Sequence, residues 1–340
     1  MNMNELAGLL GLSVYDPVFW MPLLCLGVFL LMVLLGTVFD GFDLGVALWL
    51  PFAGEHKDRL VNLLGPWRNI NEFWLLFGMV FFLAAFPKAW GFVFSMMYWP
   101  LVCIGIGALL RNVSFEFRLR SADSLRRFWM LLFFAGSVMN AFGQGWLLGK
   151  LVVGFRVEEG YGLFALLVAF GMLALYMLLG AAWLIMRVDG GLQQEAIGWA
   201  KRTVRVAAGG VIAIMAGMGL SNMGIFYKWA LIDTFSVVFP AWVVILSVFA
   251  LIEMLLKQAH KSEWLSRLPF LLLILLAGIS LGGVAYSYFP FLVYDELSLW
   301  DSIDSIVTLR YVVWGMIMVL PVLLVYIAWS YGDVFDKLRS

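Results

Sequence analysis

Nine stretches of this chain, each eighteen residues or longer, are almost free of charge. They fall near 19–50, 70–87, 89–111, 127–149, 162–186, 205–226, 235–256, 268–290 and 311–331. A bilayer core takes roughly 20 apolar residues per helix, and inside it every backbone polar group must bond internally. Runs of this length and continuity predict helices rather than the alternating strands of a barrel. The chain is therefore expected to be an all-α, polytopic membrane bundle with nine transmembrane helices, in one domain over residues 1–340. Only 13% of the residues are charged and the mean hydropathy is +0.96, where soluble domains carry about 25% charge.

The basic residues orient the bundle. Seventeen of the 22 Lys and Arg fall on one set of alternate loops, from Lys57, Arg59 and Arg68 to Lys337 and Arg339. The other set holds Lys88, Lys150, Arg156, Lys228 and Arg310, together with acids such as Glu5, Asp16, Glu158, Glu159, Asp233, Asp295 and Asp301. Cytoplasmic loops carry the excess of Lys and Arg, so the N-terminus is expected outside and the C-terminus in the cytoplasm. No Lys or Arg precedes Lys57, so the first apolar helix lacks the basic flank of a cleavable signal and is expected to be kept.

Several chemistries are disfavoured. The two histidines, His56 and His260, both fall in charged stretches between spans, whereas a membrane cytochrome holds haem by His or Met projecting from its helices. The chain is thus expected to ligate no haem itself, and its 18 Met read as packing. Cys25 and Cys103 lie in apolar runs and read as buried thiols. No metal-ligand spacing, phosphate loop or nucleophile with a paired base occurs, and no basic run suggests nucleic acid.

What remains is a small set of polar groups inside apolar runs. Asp40 and Asp43 stand three residues apart in Val38-Phe39-Asp40-Gly41-Phe42-Asp43-Leu44-Gly45-Val46, so a helix puts both on one face. A charge at bilayer depth costs roughly 2.5–3.5 kcal/mol. The pair is either the solvated end of a long first helix or a functional site facing the bundle. In Arg68-Asn69-Ile70-Asn71-Glu72-Phe73-Trp74, Asn69 is placed to cap the second span and Glu72 to meet its positive end. Alternatively Glu72 faces inward and handles protons with Asp40 and Asp43. Glu116, between Arg111 and Arg118, reads as an interfacial charge network, with lipid head groups or a partner subunit as other uses. Gln144, between Gly143 and Gly145, places one amide at a close helix contact.

Taken together these segments resemble subunit II of cytochrome bd-type quinol oxidases. The resemblance rests on Phe39-Asp40-Gly41-Phe42-Asp43-Leu44-Gly45-Val46, Asn71-Glu72-Phe73-Trp74-Leu75, Arg111 with Phe115-Glu116-Phe117-Arg118, Leu178 to Met186, and Tyr326-Ile327-Ala328-Trp329-Ser330-Tyr331, in the family's order. Glu72 and the Trp183 segment look most like the cyanide-insensitive branch. The resemblance implies a bacterial inner-membrane heterodimer. In it, subunit I carries two b-type haems and haem d, oxidises quinol and reduces oxygen to water. Subunit II holds no haem, pairs through a long apolar interface and supplies acids to a proton path. Membrane lipid and a small accessory subunit are further expected partners. On this reading Asp40, Asp43 and Glu72 are the proton-path candidates, and Asn69, Asn71, Trp74, Arg111, Glu116, Arg118 and Gln144 are interface or structural candidates.

One segment departs from the family. Where its members usually have Trp-Asp-Gly before the Asn-Glu pair, this chain has Arg68-Asn69-Ile70. Asn69 cannot titrate. Proton supply then falls to Asp40, Asp43 or Glu72, or runs through subunit I, or the activity is altered. An ion or solute transporter coupled through the same three acids, and a structural subunit of another membrane redox complex, are the competing readings.

Overall fold

The computed structural model describes residues 3–65, 67–156 and 159–330, apart from the side chains of Trp67, Asn69, Asp123, Glu159, Ile232, Asp233, Ile327 and Ser330. A short helix α1 (Met3–Leu9) precedes α2 (Pro17–Trp49), the longest helix described. Two single 3₁₀ turns, Leu50–Phe52 and Gly54–His56, lead into α3 (Lys57–Leu64). Then follow α4 (Trp67–Ala85), α5 (Pro87–Met96), α6 (Tyr98–Arg120), α7 (Asp123–Val152), α8 (Glu159–Arg187) and α9 (Gly191–Ser221). The chain continues through α10 (Met223–Ala230), α11 (Ile232–Leu255) and α12 (Glu263–Tyr288). A two-stranded antiparallel hairpin, β1 (Phe291–Val293) and β2 (Leu297–Ser298), comes before α13 (Ile306–Ser330).

Local chemistry sets several of these ends. Asp16 accepts a hydrogen bond from the Val18 amide at 2.9 Å and Pro17 opens α2, which satisfies one orphan donor and fixes the first φ. Ser262 caps α12 through the Leu265 amide at 3.2 Å. The run read as one span over 89–111 is divided here between α5 and α6. Pro100 has no N–H to return to the Met96 carbonyl, so the helix restarts at Tyr98, with Pro100 in its first turn where a missing donor costs nothing. Pro87 likewise stops α4, because the residue before a proline is driven out of the α region and Phe86 sits at φ −130°, ψ 60°.

Eight helices among the described residues are long and apolar enough to cross a membrane, and the apolar stretch Ile70–Ala85 of α4 is shorter. The bundle is organised on α2, which touches α4, α7, α8, α12 and α13, while α6 pairs with α7 and α8 with α9. Its crossing with α8 is the closest. A Cβ on Gly45 would lie 1.9 Å from the Tyr176 carbonyl oxygen, and one on Gly180 would lie 2.4 Å from the Gly45 carbonyl carbon. Only glycine admits that approach, and it gains the close van der Waals packing that membrane helices use. Around it lies the main apolar core, where Phe42 stacks on Trp183 at 4.8 Å and Trp49 on Trp199 at 4.9 Å.

The end of the bundle that carries the N-terminus is tied by side chains reaching backbone carbonyls. Trp300 stacks on Phe19 and donates its indole N–H to the Phe19 carbonyl at 3.2 Å. Lys228 donates to the carbonyls of Tyr286 and Phe289 at 2.6 and 2.7 Å, satisfying the last turn of α12.

Candidate functional site

Asp40 and Asp43 are not a solvated helix end. They are 1% and 0% exposed, in the half of α2 that passes through the middle of the bundle. Apolar length alone had allowed the helix to surface near Val38, but α2 stays buried to its last turn, where Trp49 donates to the Met177 carbonyl of α8 and stacks on Trp199 of α9. Burying two carboxylates this way requires partners.

The partners come from three neighbouring helices. Arg111 of α6, fully buried, donates from Nη1 to Asp40 Oδ1 at 2.8 Å. The same nitrogen lies 3.3 Å from Glu72 Oε1 on α4. Arg68, one turn before Glu72, brings its Nη1 within 3.6 Å of that oxygen and donates to Asn112 Oδ1 at 2.8 Å. Asn112 in turn donates to Glu72 Oε2 at 2.5 Å. The Arg68 guanidinium lies over the Phe115 ring, 4.2 Å from its centroid, a cation–π contact that suits a charge held out of water. Asn71 donates to Asp43 Oδ2 at 2.6 Å. Asp43 Oδ1 has neither a hydrogen bond nor an ion pair among the described residues.

On the other flank, α7 and α8 complete the arrangement. Gln144 donates to Asn140 Oδ1 at 2.6 Å and makes a long contact of 3.4 Å to Asp40 Oδ2. Tyr176, fully buried, donates its hydroxyl proton to Gln144 Oε1. The ring fits because residue 41 is glycine; a Cβ there would stand 2.7 Å from Tyr176 Cε1. A cavity of about 1450 Å³ runs beside the cluster, with Asp40, Glu72, Asn112, Asn140 and Gln144 at its polar part and side chains such as Leu34, Leu75 and Ile279 elsewhere.

Three carboxylates and two guanidiniums thus share one buried site. With all five ionised its formal charge is −1, and one proton neutralises it. An uncompensated charge is expensive inside a bundle, so a site of this balance is suited to taking up and releasing a proton. Asp40 has donors at both oxygens, Glu72 has Asn112 and two arginines, and Asp43 has one amide.

The other expected residues are placed differently. Among the described residues Glu116 pairs with neither Arg111 nor Arg118: Arg111 turns inward to Asp40 and Glu72, while Glu116 is exposed and faces Arg120 at 3.6 Å. Arg118 pairs instead with Asp58 of α3. These residues follow helical geometry, since Arg111 and Glu116 are five apart and lie on different faces. Trp74 is buried among Val28, Met32, Leu35, Met316 and Leu320, so it packs α4 against α2 and α13 rather than joining the site. The side chain of Asn69 lies outside the described residues. Arg68, Asn112, Asn140 and Tyr176 were not expected as site residues. Arg68 and Asn112 sit at span ends, where solvated polar groups are ordinary, and Tyr176 is one hydroxyl in a long apolar run.

A buried polar cluster at the heart of a polytopic helical bundle defines a membrane protein built around intramembrane acids. Residues 21–334 match the pattern of the cytochrome bd terminal oxidase subunit II family, so the chain belongs to that family. It is similar to the Escherichia coli cytochrome bd-I ubiquinol oxidase subunit 2, with 26% identity over 89% of this chain and 91% of the relative. It is also 28% identical to a probable cytochrome oxidase subunit 2 of Haemophilus influenzae, over 92% and 94% of the two chains. The fold resembles a chain of the bd oxidase of Geobacillus thermodenitrificans, with a TM-score of 0.74, 15% identity, and coverage of 93% and 98%.

Proposed function

We propose that this chain is the haem-free subunit of a quinol:oxygen oxidoreductase in the bacterial inner membrane, and that its buried acids deliver protons for oxygen reduction. The observation that carries this reading is the five-charge cluster joining α2, α4 and α6, whose formal charge of −1 changes by one proton. Membership of the family supports a haem-bearing subunit I as partner and quinol as the complex's substrate. The donor set of this chain does not suit a haem: His56 lies in a 3₁₀ turn and His260 in the turn after α11, both at helix ends. The haems, which supply electrons to oxygen, are assigned on this reading to subunit I.

The bias of Lys and Arg supports an outside N-terminus, which puts the cluster in the cytoplasmic half. Arg111 holds Asp40 by a direct hydrogen bond and stands beside Glu72, whose second oxygen accepts from Asn112. Asp43, bonded to the Asn71 amide, is the acid proposed to take up and release the proton. Proton transfer between positioned groups contributes about 10²–10⁴-fold to a rate, which sets the scale of loss when the carrier is removed. The test is to purify the complex with its native partner, record its haem spectrum, and follow oxygen consumption in variants of the three acids. Haem d in the co-purified partner supports the reading. A stable haem-free protein that translocates a solute alone overturns it.

A further inference from the structure

Gln144 sits at the junction of three helices with every polar atom of its amide engaged. Its carbonyl oxygen accepts from the Tyr176 hydroxyl, and its nitrogen donates to Asn140 at 2.6 Å and reaches Asp40 Oδ2 at 3.4 Å. In this orientation the amide nitrogen faces the Asp40 carboxylate; turned over, its oxygen would face that carboxylate, acceptor against acceptor. Tyr176 is locked as well, by its ring packing on Gly41 and its backbone on Gly45. The rigid α2–α8 crossing is therefore transmitted through Tyr176 and Gln144 to one oxygen of Asp40, while Arg111 holds the other.

We infer that Gln144, oriented by Tyr176, is a positioning residue that keeps Asp40 as the fixed counter-ion of Arg111 and so confines the exchangeable proton to Asp43 and Glu72. The inference rests on the proton-delivery reading and adds a division of labour to it. The ionisable groups around Asp40 are Asp43 on its own helix, Arg68 and Glu72 on α4, Arg111 on α6 and Tyr176 on α8. Asp40 receives a donor at each oxygen, Arg111 from α6 and Gln144 from α7. Without Gln144 it competes with Asp43 and Glu72 for the proton.

The test uses the intact two-subunit oxidase with Tyr176→Phe, which keeps the packed ring, and Gln144→Leu. Haem content and oxygen consumption are measured across pH, with Asp43→Asn in parallel. Both variants are expected to assemble with wild-type haem content and to run about two- to tenfold slower, the scale of one lost hydrogen bond. Their pH profiles are expected to move by about half a unit, because the proton is now shared with Asp40. Gln144→Glu adds a carboxyl beside Asp40 and is expected to displace the profile further than Gln144→Leu. Unmoved profiles in Tyr176→Phe and Gln144→Leu overturn the positioning role, as does loss of haem from Tyr176→Phe, which would make the contact structural. If Asp43→Asn alone is slow, only the role of Gln144 fails; if Asp43→Asn is also at the wild-type rate, the proton-delivery reading fails.

Discussion

Arg111 Nη1 stands 2.8 Å from Asp40 Oδ1, with the guanidinium of α6 and the carboxylate of α2 both shut away from solvent. Because the same nitrogen lies 3.3 Å from Glu72, one arginine fastens three helices at their most polar point. Buried pairs of this kind gain little over apolar packing, yet losing one partner strands the other charge.

Arg111→Leu should therefore be among the most damaging changes in the chain. Removing one member of a buried pair costs about 3–5 kcal/mol, and here two carboxylates lose their partner. The expected outcome is loss of the assembled complex from membranes, read as haem content and as yield of the co-purified chain. Arg111→Lys should not restore it, since an ammonium is a compact, strongly hydrated point charge where the guanidinium is a planar fork. Normal assembly of Arg111→Leu would contradict the role given to this pair.

Gly45→Val tests the helix crossing without touching a charge. The new side chain begins 1.9 Å from the Tyr176 carbonyl and has nowhere to move. Membrane helices associate through such close contacts rather than through a hydrophobic drive. Thermal unfolding of the detergent-purified complex should fall well below wild type, by more than Gly283→Val, where no atom lies within 4 Å of the added Cβ. Equal stability of the two variants would show that the α2–α8 approach is not a constraint.

The bundle was legible in the sequence because lipid leaves a chain so few options. Asp40, Asp43 and Glu72 were also legible, since each is a charge within an apolar run. Their partners were not. Arg111 looked like one of several arginines at a span end, and only the packing of α6 against α7 and beside α2 turns it inward while Glu116 turns out. Tyr176 carries its meaning entirely through the glycine at position 41, 135 residues earlier, a relation that no local pattern records. The break at Pro100 was written in the sequence but masked by unbroken apolarity on both sides.

Glu72→Gln lowers the formal charge of the cluster from −1 to zero while keeping an acceptor for Asn112, so the fold should survive. If Glu72 carries protons, oxygen consumption should drop on the order of 10²-fold at unchanged haem content. The loss should exceed that of the same change in relatives that carry an aspartate in the segment before this glutamate. Asn69→Asp in the Glu72→Gln background should recover part of the rate. An equal loss in both kinds of enzyme, with no recovery, would contradict compensation between these positions.

The orientation can be checked with single cysteines in a chain freed of Cys25 and Cys103. A thiol at Asp301 should react with a membrane-impermeant reagent added to intact cells, and one at Asp58 should react only after lysis. The reverse pattern would put the acid cluster on the wrong side for protons drawn from the cytoplasm.

The central claim is best tested by Asp43→Asn, which keeps size, shape and a hydrogen-bond acceptor for Asn71 but cannot exchange a proton at this site. Oxygen consumption per haem should be measured in the purified two-subunit complex. A fall of about 10²-fold with full haem content is the result predicted for an acid that carries protons. A wild-type rate at full haem content would contradict it.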